Sequence, residues 1–330
     1  MSEVSADAQR LRRAVVECLD TGPAVVGCSG GPDSLALAAS AVWAAGHLGE
    51  RLHVVVVDHG LQEGSAQVAQ AAADAASALG CDSVEVRRVE VGTAGGPEAA
   101  AREARREALM SAARERGSNQ ILLAHTREDQ AETVLMRLAR GSGARSLSAM
   151  RLCDPPWHRP FLDVPRDVVH RVAWEYLEPR GLMAWDDPHN HDPSFTRVRV
   201  RRSLRTLESD LGPGLVPGLV RSAELLGDDA DALDSWAQGV LQRAVTIDDS
   251  RCEADVASLT EVPRAVRTRV IRLMHQSVSK NDDVLDFEHV RQVEAMVSGW
   301  KGQGDASLPG SVTAGIEYGR LLLVAEPRES

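Results

Sequence analysis

Three short stretches of this 330-residue chain set small, polar and charged residues at spacings that suit chemistry on phosphates. The first is Ser29-Gly30-Gly31-Pro32-Asp33-Ser34, which follows the apolar run AVVGCS and opens a stretch rich in alanine and leucine. A strand that turns on glycines into a helix aims several backbone N–H groups and the positive helix end at one point, so an anion belongs there. The two serines add hydroxyl donors, and Asp33 is a candidate ligand for a phosphate-bound Mg²⁺. The GxxxxGK[ST] spacing of a Walker loop is absent, and so is its lysine. The second stretch runs through His125, Asp129 and Glu132, directly after QILLAH (120–125). Asp129 there is a candidate to accept a proton, and His125 either positions a ligand or is a structural residue at a strand end. The third is Arg197, Arg199, Arg201, Arg202 and Arg205, with no acid until Glu208. Guanidinium forks match phosphate geometry, so Arg201, Arg202 and Arg205 are candidate contacts to a nucleic-acid backbone. The competing reading is a solvated basic face. Alternation at 197, 199 and 201 would suit a strand, whereas 198, 201/202 and 205 suit a helix.

The elements that must hold these residues follow from the pattern around them. AVVGCS (24–29), HVVVVD (53–58), VEVRRVEV (84–91) and QILLAH read as short buried strands, separated by helix-forming stretches, two of which end on glycine. Strands alternating with helices predict an α/β fold with a doubly wound, Rossmann-like parallel sheet. In such sheets ligands bind beyond the carboxyl ends of the strands, where SGGPDS, the turn after Asp58, and HTREDQAET all lie. GPGLVPG (212–218) is rich enough in Gly and Pro to mark a boundary. It divides a catalytic domain at 1–215 from a mainly helical one at 216–330. In the second, Leu219, Ala223, Leu226, Ala230, Leu233, Ala237 and Val240 form the stripe of a long helix, and short strands are expected near the end.

Composition narrows the classes. A length of 330 residues suits two domains, and no apolar run approaches the ~18 residues of a membrane helix. The start of the chain reads as an amphipathic helix rather than a secretion signal, so no membrane partner and a cytoplasmic location are expected. The five cysteines are scattered without CxxC, which signals neither a disulfide framework nor a zinc or iron–sulfur site. The net charge of −11 argues against a generic polyanion binder. Positive charge is nearly all arginine, Lys280 and Lys301 being the only lysines.

SGGPDS resembles the PP-loop SGGxDS of ATP pyrophosphatases, and further stretches narrow the resemblance to the tRNA(Ile)-lysidine synthetases. VDHGLQEGS (57–65) is similar to that family's VDHGLRxxS, AREARREAL (101–109) to ARxxRYxxL, and LLAHTREDQAETVLMRLARGSG (122–143) to AHHxDDQAETxLxRLxRGxG. HRPFLDV (158–164) matches the RPLL segment, and DPHNHDPSFTRVRVR (187–201) resembles DxSNxDxxFxRNxIR. Thr126, Glu128, Arg106 and Val198 depart from those patterns, standing for His, Asp, Tyr and Asn.

The resemblance implies a ligase that uses ATP and Mg²⁺. ATP adenylates the 2-oxo group of the wobble cytidine in an isoleucine tRNA with a CAU anticodon, and the ε-amine of free lysine then displaces AMP. It implies Ser29, Gly30, Gly31, Pro32, Asp33, Ser34 and Asp58 as nucleotide-binding residues. Asp33, Arg105, His125, Asp129 and Arg197 become the catalytic set, with Asp33 as metal ligand and Glu132 at the substrate. Two other readings share the same loop. A tRNA 2-thiolase would need paired cysteines to carry sulfur, and a non-catalytic nucleotide binder would have no need of Asp33, Asp129 and Glu132 at strand ends.

Overall fold

The computed structural model describes residues 4–94, 96–279, 284–299, 302 and 304–325, so Lys280 and Lys301 lie outside the described residues. Two compact units divide the chain, Met1–Leu225 and Leu226–Ser330.

The first unit is built on strands β1 (Ala24–Cys28), β2 (Leu52–Asp58), β3 (Ser83–Arg88), β4 (Ile121–Leu122), β5 (Cys153–Asp154) and β6 (Trp157–His158). Their order across the sheet is β3-β2-β1-β4-β6-β5, parallel throughout except for β5, which runs antiparallel at the edge. Val26 of β1 stands opposite Val54 on one side and Leu122 on the other. Side chains alternate across a strand, so Val26 and Val54 enter one core layer and Val25 and Val55 the other. Helices α1 (Ala6–Cys18), α2 (Pro32–Leu48) and α3 (Ser65–Ala78) supply residues to the first layer, and α4 (Pro97–Glu115) packs Leu109, Ala112 and Ala113 into the second. The expected doubly wound sheet is therefore present.

Chain order reverses between β1 and β4, which opens the crevice at which such sheets bind ligands. From the end of β4 the chain continues into α5 (Arg127–Leu138) and the single turn α6 (Ala144–Leu147). After β6 come α7 (Arg166–Leu177) and α8 (Thr196–Leu211). Phe161, fully buried beside α7, joins that segment to the first core layer; truncating such a residue to Ala costs about 3–5 kcal/mol.

Two strands are shorter than the sequence suggests. β4 keeps only Ile121 and Leu122, although Leu123 still donates to the His158 carbonyl at 2.9 Å. The chain then turns out at His125 to begin α5. β3 ends at Arg88, with Val89 donating to the Asp58 carbonyl. The arginine run is helical, which settles the choice between strand and helix. Residues 212–218 lead into α9 (Leu215–Ala244), where Pro217 falls in the first turn and its missing N–H breaks no helical bond.

In the second unit the stripe residues Ala230, Ala237 and Val240 of α9 are buried as the spacing predicts. The unit also holds β7 (Val245–Asp248), β8 (Arg251–Asp255), α10 (Val256–Thr260), α11 (Arg264–Val278), α12 (Phe287–Gly299), β9 (Ala306–Leu308), β10 (Val312–Glu317) and β11 (Arg320–Ala325). The strands form an antiparallel sheet in the order β7-β8-β11-β10-β9. It covers Val270, Ile271 and Met274 of α11 and Val293 and Met296 of α12. The unit is mainly helical, as expected, and its short strands pair into one sheet. The alternation in SVTAGIEYGRLLLVA gives two strands a buried face, and they need partners. No helix among the described residues is long and apolar enough to cross a membrane.

Candidate active site

The glycine loop leaves β1 and enters α2 with Gly31 at the helix N-cap. Gly30 has φ +81°, and a Cβ there would lie 2.8 Å from Cβ of Ala72, so torsion and space both demand glycine. Its carbonyl accepts from the Trp185 backbone N–H at 2.9 Å, which ties the loop to the segment ahead of α8. Ser34 is buried and braces the loop from within. Its Oγ accepts from the Ser29 backbone N–H at 3.2 Å and donates to the Gly31 carbonyl at 2.9 Å. That occupies the proton expected to face a ligand, while Ser29 remains exposed. Pro32 sits in the first turn of α2, where a backbone N–H has no helical partner anyway. Asp33 follows in the same turn, with Oδ1 3.1 Å from Nε2 of His170 on α7. This Oδ1 is shielded from solvent and faces the ring nitrogen without a hydrogen bond, so a cation would find its charge uncompensated there when the imidazole is neutral. The cradle fits the phosphates and Mg²⁺ that the loop implies.

Asp58 ends β2, buried, and accepts from the Gly60 backbone N–H at 3.0 Å. Burial pushes its pKa up, but that N–H, the Ser65 hydroxyl and Arg88 together hold it below the ordinary value. It shapes the turn that carries Gln62, whose amide lies 2.9 Å from Nδ1 of His189.

Across the crevice, α5 begins at the end of β4. Asp129 Oδ2 accepts from both the backbone N–H and the hydroxyl of Thr126, at 2.8 and 2.9 Å. Its Oδ1 accepts from Arg166 at 2.7 Å. Burial would raise the Asp129 pKa, yet Arg166, His125 and the Thr126 N–H leave it lowered. A carboxylate held this firmly ionised suits the attraction of a cation better than the acceptance of a proton.

Glu132, 2% exposed, lies one turn further and accepts from Arg201 Nε at 2.8 Å and from Arg166 at 3.4 Å. Glu132 and Arg201, expected as direct substrate contacts, are thus paired with each other. Arg201 therefore does not stand with Arg202 and Arg205 on the free surface: it faces α5, one helical turn from Arg197, whereas those two are exposed. Arg202 donates to the His191 carbonyl at 3.1 Å.

His125 stands where acid and arginine meet. Burial drives its pKa down to about 3, against the upward pull of Asp129, with Arg105, Arg159 and Arg197 pushing the same way as burial. The ring is neutral, and its Nδ1 has no partner. Arg105 is pushed down to about 10 by burial and by Arg102, Arg197 and Arg106. Arg197 sits 3.6 Å from Glu98.

Sequence reasoning missed Arg166 and His170. Arg166 takes the first position of α7, and its backbone N–H is capped by Glu128 at 2.8 Å. A cation at the positive end of a helix opposes the macrodipole. That mismatch, together with the one-turn spacing to His170, was the available signal. Arg166 binds Asp129 and Glu132, and His170 meets Asp33.

Residues 4–208 match the family described as a PP-loop domain. A tRNA(Ile)-lysidine synthase of Thermobifida fusca is 47% identical over 317 residues, covering 96% of each chain. The enzyme of the same description from Mycobacterium tuberculosis is 42% identical over 335 residues, covering 99% of this chain and 98% of its own. Among solved structures, the U34-tRNA thiolase of Methanococcus maripaludis, described with its [4Fe-4S] cluster, superposes with a TM-score of 0.54 at 20% identity. That match covers 67% of this chain and 80% of the thiolase, and it bears on the fold alone.

Proposed function

The chain belongs to the tRNA(Ile)-lysidine synthases, a PP-loop family, and from that premise we propose how its own residues divide the work. The reaction is ATP-dependent formation of a carbon–nitrogen bond on tRNA. In our reading the wobble cytidine of a CAU-anticodon isoleucine tRNA attacks the α-phosphorus of ATP through its 2-oxo oxygen and releases pyrophosphate. The ε-ammonium of lysine gives up a proton to solvent, the resulting amine attacks C2, and the oxygen leaves with AMP.

The observation that carries this reading is the meeting, at the β1–β4 crevice, of the glycine loop, the ionised Asp129 and the neutral His125 among arginines. The backbone of residues 29–34 and the N-terminus of α2 receive phosphates. Asp33 is the residue to hold Mg²⁺, which would offset phosphate charge when bound. Arg105 and Arg197 stabilise charge that grows on the phosphates as pyrophosphate departs. His125, neutral and with one nitrogen free, positions the nucleotide or the base through a hydrogen bond. Asp129 attracts the ammonium end of lysine, while Glu132, itself braced by Arg201, holds Arg166 and so fixes the Asp129 carboxylate. Asp58 acts on the nucleotide through the turn it shapes, and Arg202 and Arg205 face the RNA.

Of the five thiols only Cys153 is exposed, so no accessible pair is present to carry sulfur. Cys18, Cys28, Cys81 and Cys252 are buried, and burial pushes each pKa up, to about 11 for Cys18 and Cys252 and about 12 for Cys81. A sulfur carrier needs a readily formed thiolate. The deciding experiment incubates the protein with ATP, labelled lysine and unmodified tRNA transcripts. Label is expected only on a transcript with a CAU anticodon. No incorporation, or equal incorporation into a transcript with another anticodon, would refute the reading.

A further inference from the structure

The arginines around His125 outnumber what one nucleotide requires. Arg102, Arg105 and Arg106 share α4, with Arg102 and Arg106 one turn apart. Arg102 and Arg106 are in electrostatic reach of Arg159, which follows β6, and Arg102 is also in reach of Arg197. The acids that oppose them are few. Glu98 acts on Arg102 and Arg197, and Asp154 on Arg159.

Among the described residues Arg106 has no carboxylate partner. Its guanidinium lies over the Trp157 ring, 4.1 Å from the centroid. That stacking fixes the plane of the fork and leaves its N–H edge free, which lowers the entropy lost on meeting an anion. Arg159 is only 5% exposed, and its Nε has no hydrogen-bond partner, although another guanidinium nitrogen donates to the Arg151 carbonyl at 2.8 Å. A buried, unpaired guanidinium N–H is costly unless an anion completes it. Burial first, and like charge second, lower the pKa of Arg102 and Arg159. An anion relieves both effects.

We propose that Arg102, Arg106 and Arg159 form a second anion subsite, separate from the glycine loop, that takes a backbone phosphodiester of the RNA beside the reacting base. This rests on the tRNA-ligase reading above. In that reading the nucleotide phosphates go to the glycine loop and to Arg105 and Arg197, with Asp33 acting on them only through Mg²⁺, which leaves these three arginines for a different phosphate. Stacking on Trp157 gives this chain a rigid cation where the resembling motif has tyrosine, so Arg106 adds a contact rather than preserving one.

The test uses the full chain and unmodified isoleucine tRNA transcript, with affinity measured at several salt concentrations. Arg102→Gln/Arg106→Gln should weaken tRNA binding roughly 5- to 30-fold and reduce the log–log salt slope by about 1–2. ATP affinity, measured by equilibrium dialysis, should stay within about twofold. Arg102→Gln alone, at the more exposed of the two positions, guards against misfolding and should lower the slope by about 1. An unchanged tRNA affinity and slope in a folded double variant would overturn the subsite. Weakened ATP binding with tRNA binding intact would also overturn it, assigning these arginines to the nucleotide. Failure of the wild-type protein to attach lysine to the transcript would instead strike the underlying reading, so the two failures are distinguishable.

Discussion

Two clusters of charge flank His125, and they are built on opposite principles. On the α5–α7–α8 side, Asp129, Glu132, Arg166 and Arg201 neutralise one another through bonds of 2.7–3.5 Å. On the α4–β6 side, Arg102, Arg105, Arg106 and Arg159 crowd together with little acid between them, and the pKa values of Arg102, Arg105 and Arg159 are lowered. A compensated cluster fixes geometry, because removing one member leaves its partners buried and unpaired. An uncompensated cluster is unstable by itself and is completed by a ligand. Asp129 aside, which serves both purposes in our reading, the contrast separates residues that hold the site from residues that wait for substrate, a distinction that residue type alone does not make.

The contrast is broken most severely at Glu132. Replacing it by Ala leaves Arg166 and Arg201 with only Asp129 between them, and the expected loss of stability is about 3 kcal/mol. Urea denaturation at neutral pH measures it. A loss below about 1 kcal/mol would mean that solvent, not Glu132, compensates these arginines.

Asp129→Asn comes next, with an expected fall in the rate of lysine attachment of about 10²-fold, the scale for removing one preorganised charge. Its already lowered pKa implies that the pH profile above about 5 keeps its shape. A wild-type acid limb that disappears in the variant would assign the residue a proton-transfer role instead.

His125 reports the balance between the clusters. Its folded pKa of about 3 lies below the unfolded value near 6.5. As pH falls below 6.5 the unfolded chain takes up a proton that the folded chain refuses, so this contribution to stability is complete above that pH and shrinks towards 3. Between pH 7 and 5 the wild type should therefore lose about 2 kcal/mol more than His125→Asn. Urea midpoints of both proteins at the two pH values test this, and equal losses would show that the arginines and burial do not dominate the ring.

Much of this was legible in the sequence. SGGPDS and the strand–helix alternation located the crevice, because glycine and period-two patterns act locally. Pairing across the fold was not legible. Arg201 looked like a member of a basic surface until α8 turned it towards Glu132, and Ser34 looked like a ligand donor until the loop closed on its hydroxyl. Both depend on which neighbour a side chain meets, and a one-dimensional pattern does not record that. His170 was hidden for the same reason, since Asp33 lies 137 positions away.

The smallest effect is expected at Arg202 and Arg205, and it tests whether exposure alone makes an arginine useful. Both are exposed on α8, and Arg202 is restrained by a single bond to the His191 carbonyl. Unlike Arg106 or Arg159, neither is preorganised, so a phosphate contact here must first immobilise a long flexible side chain, which offsets part of the gain. Arg202→Ala/Arg205→Ala should therefore weaken tRNA binding by only about 1 kcal/mol in total and lower the salt slope by about 1, with ATP affinity unaltered. Arg201 is left out of this variant because its loss would expose Glu132 and disturb the compensated cluster. Titrations of tRNA at several salt concentrations decide the outcome. An effect as large as that of Arg102→Gln/Arg106→Gln would make the exposed face of α8 an equal docking surface, and would remove preorganisation as the feature that sets the α4–β6 arginines apart.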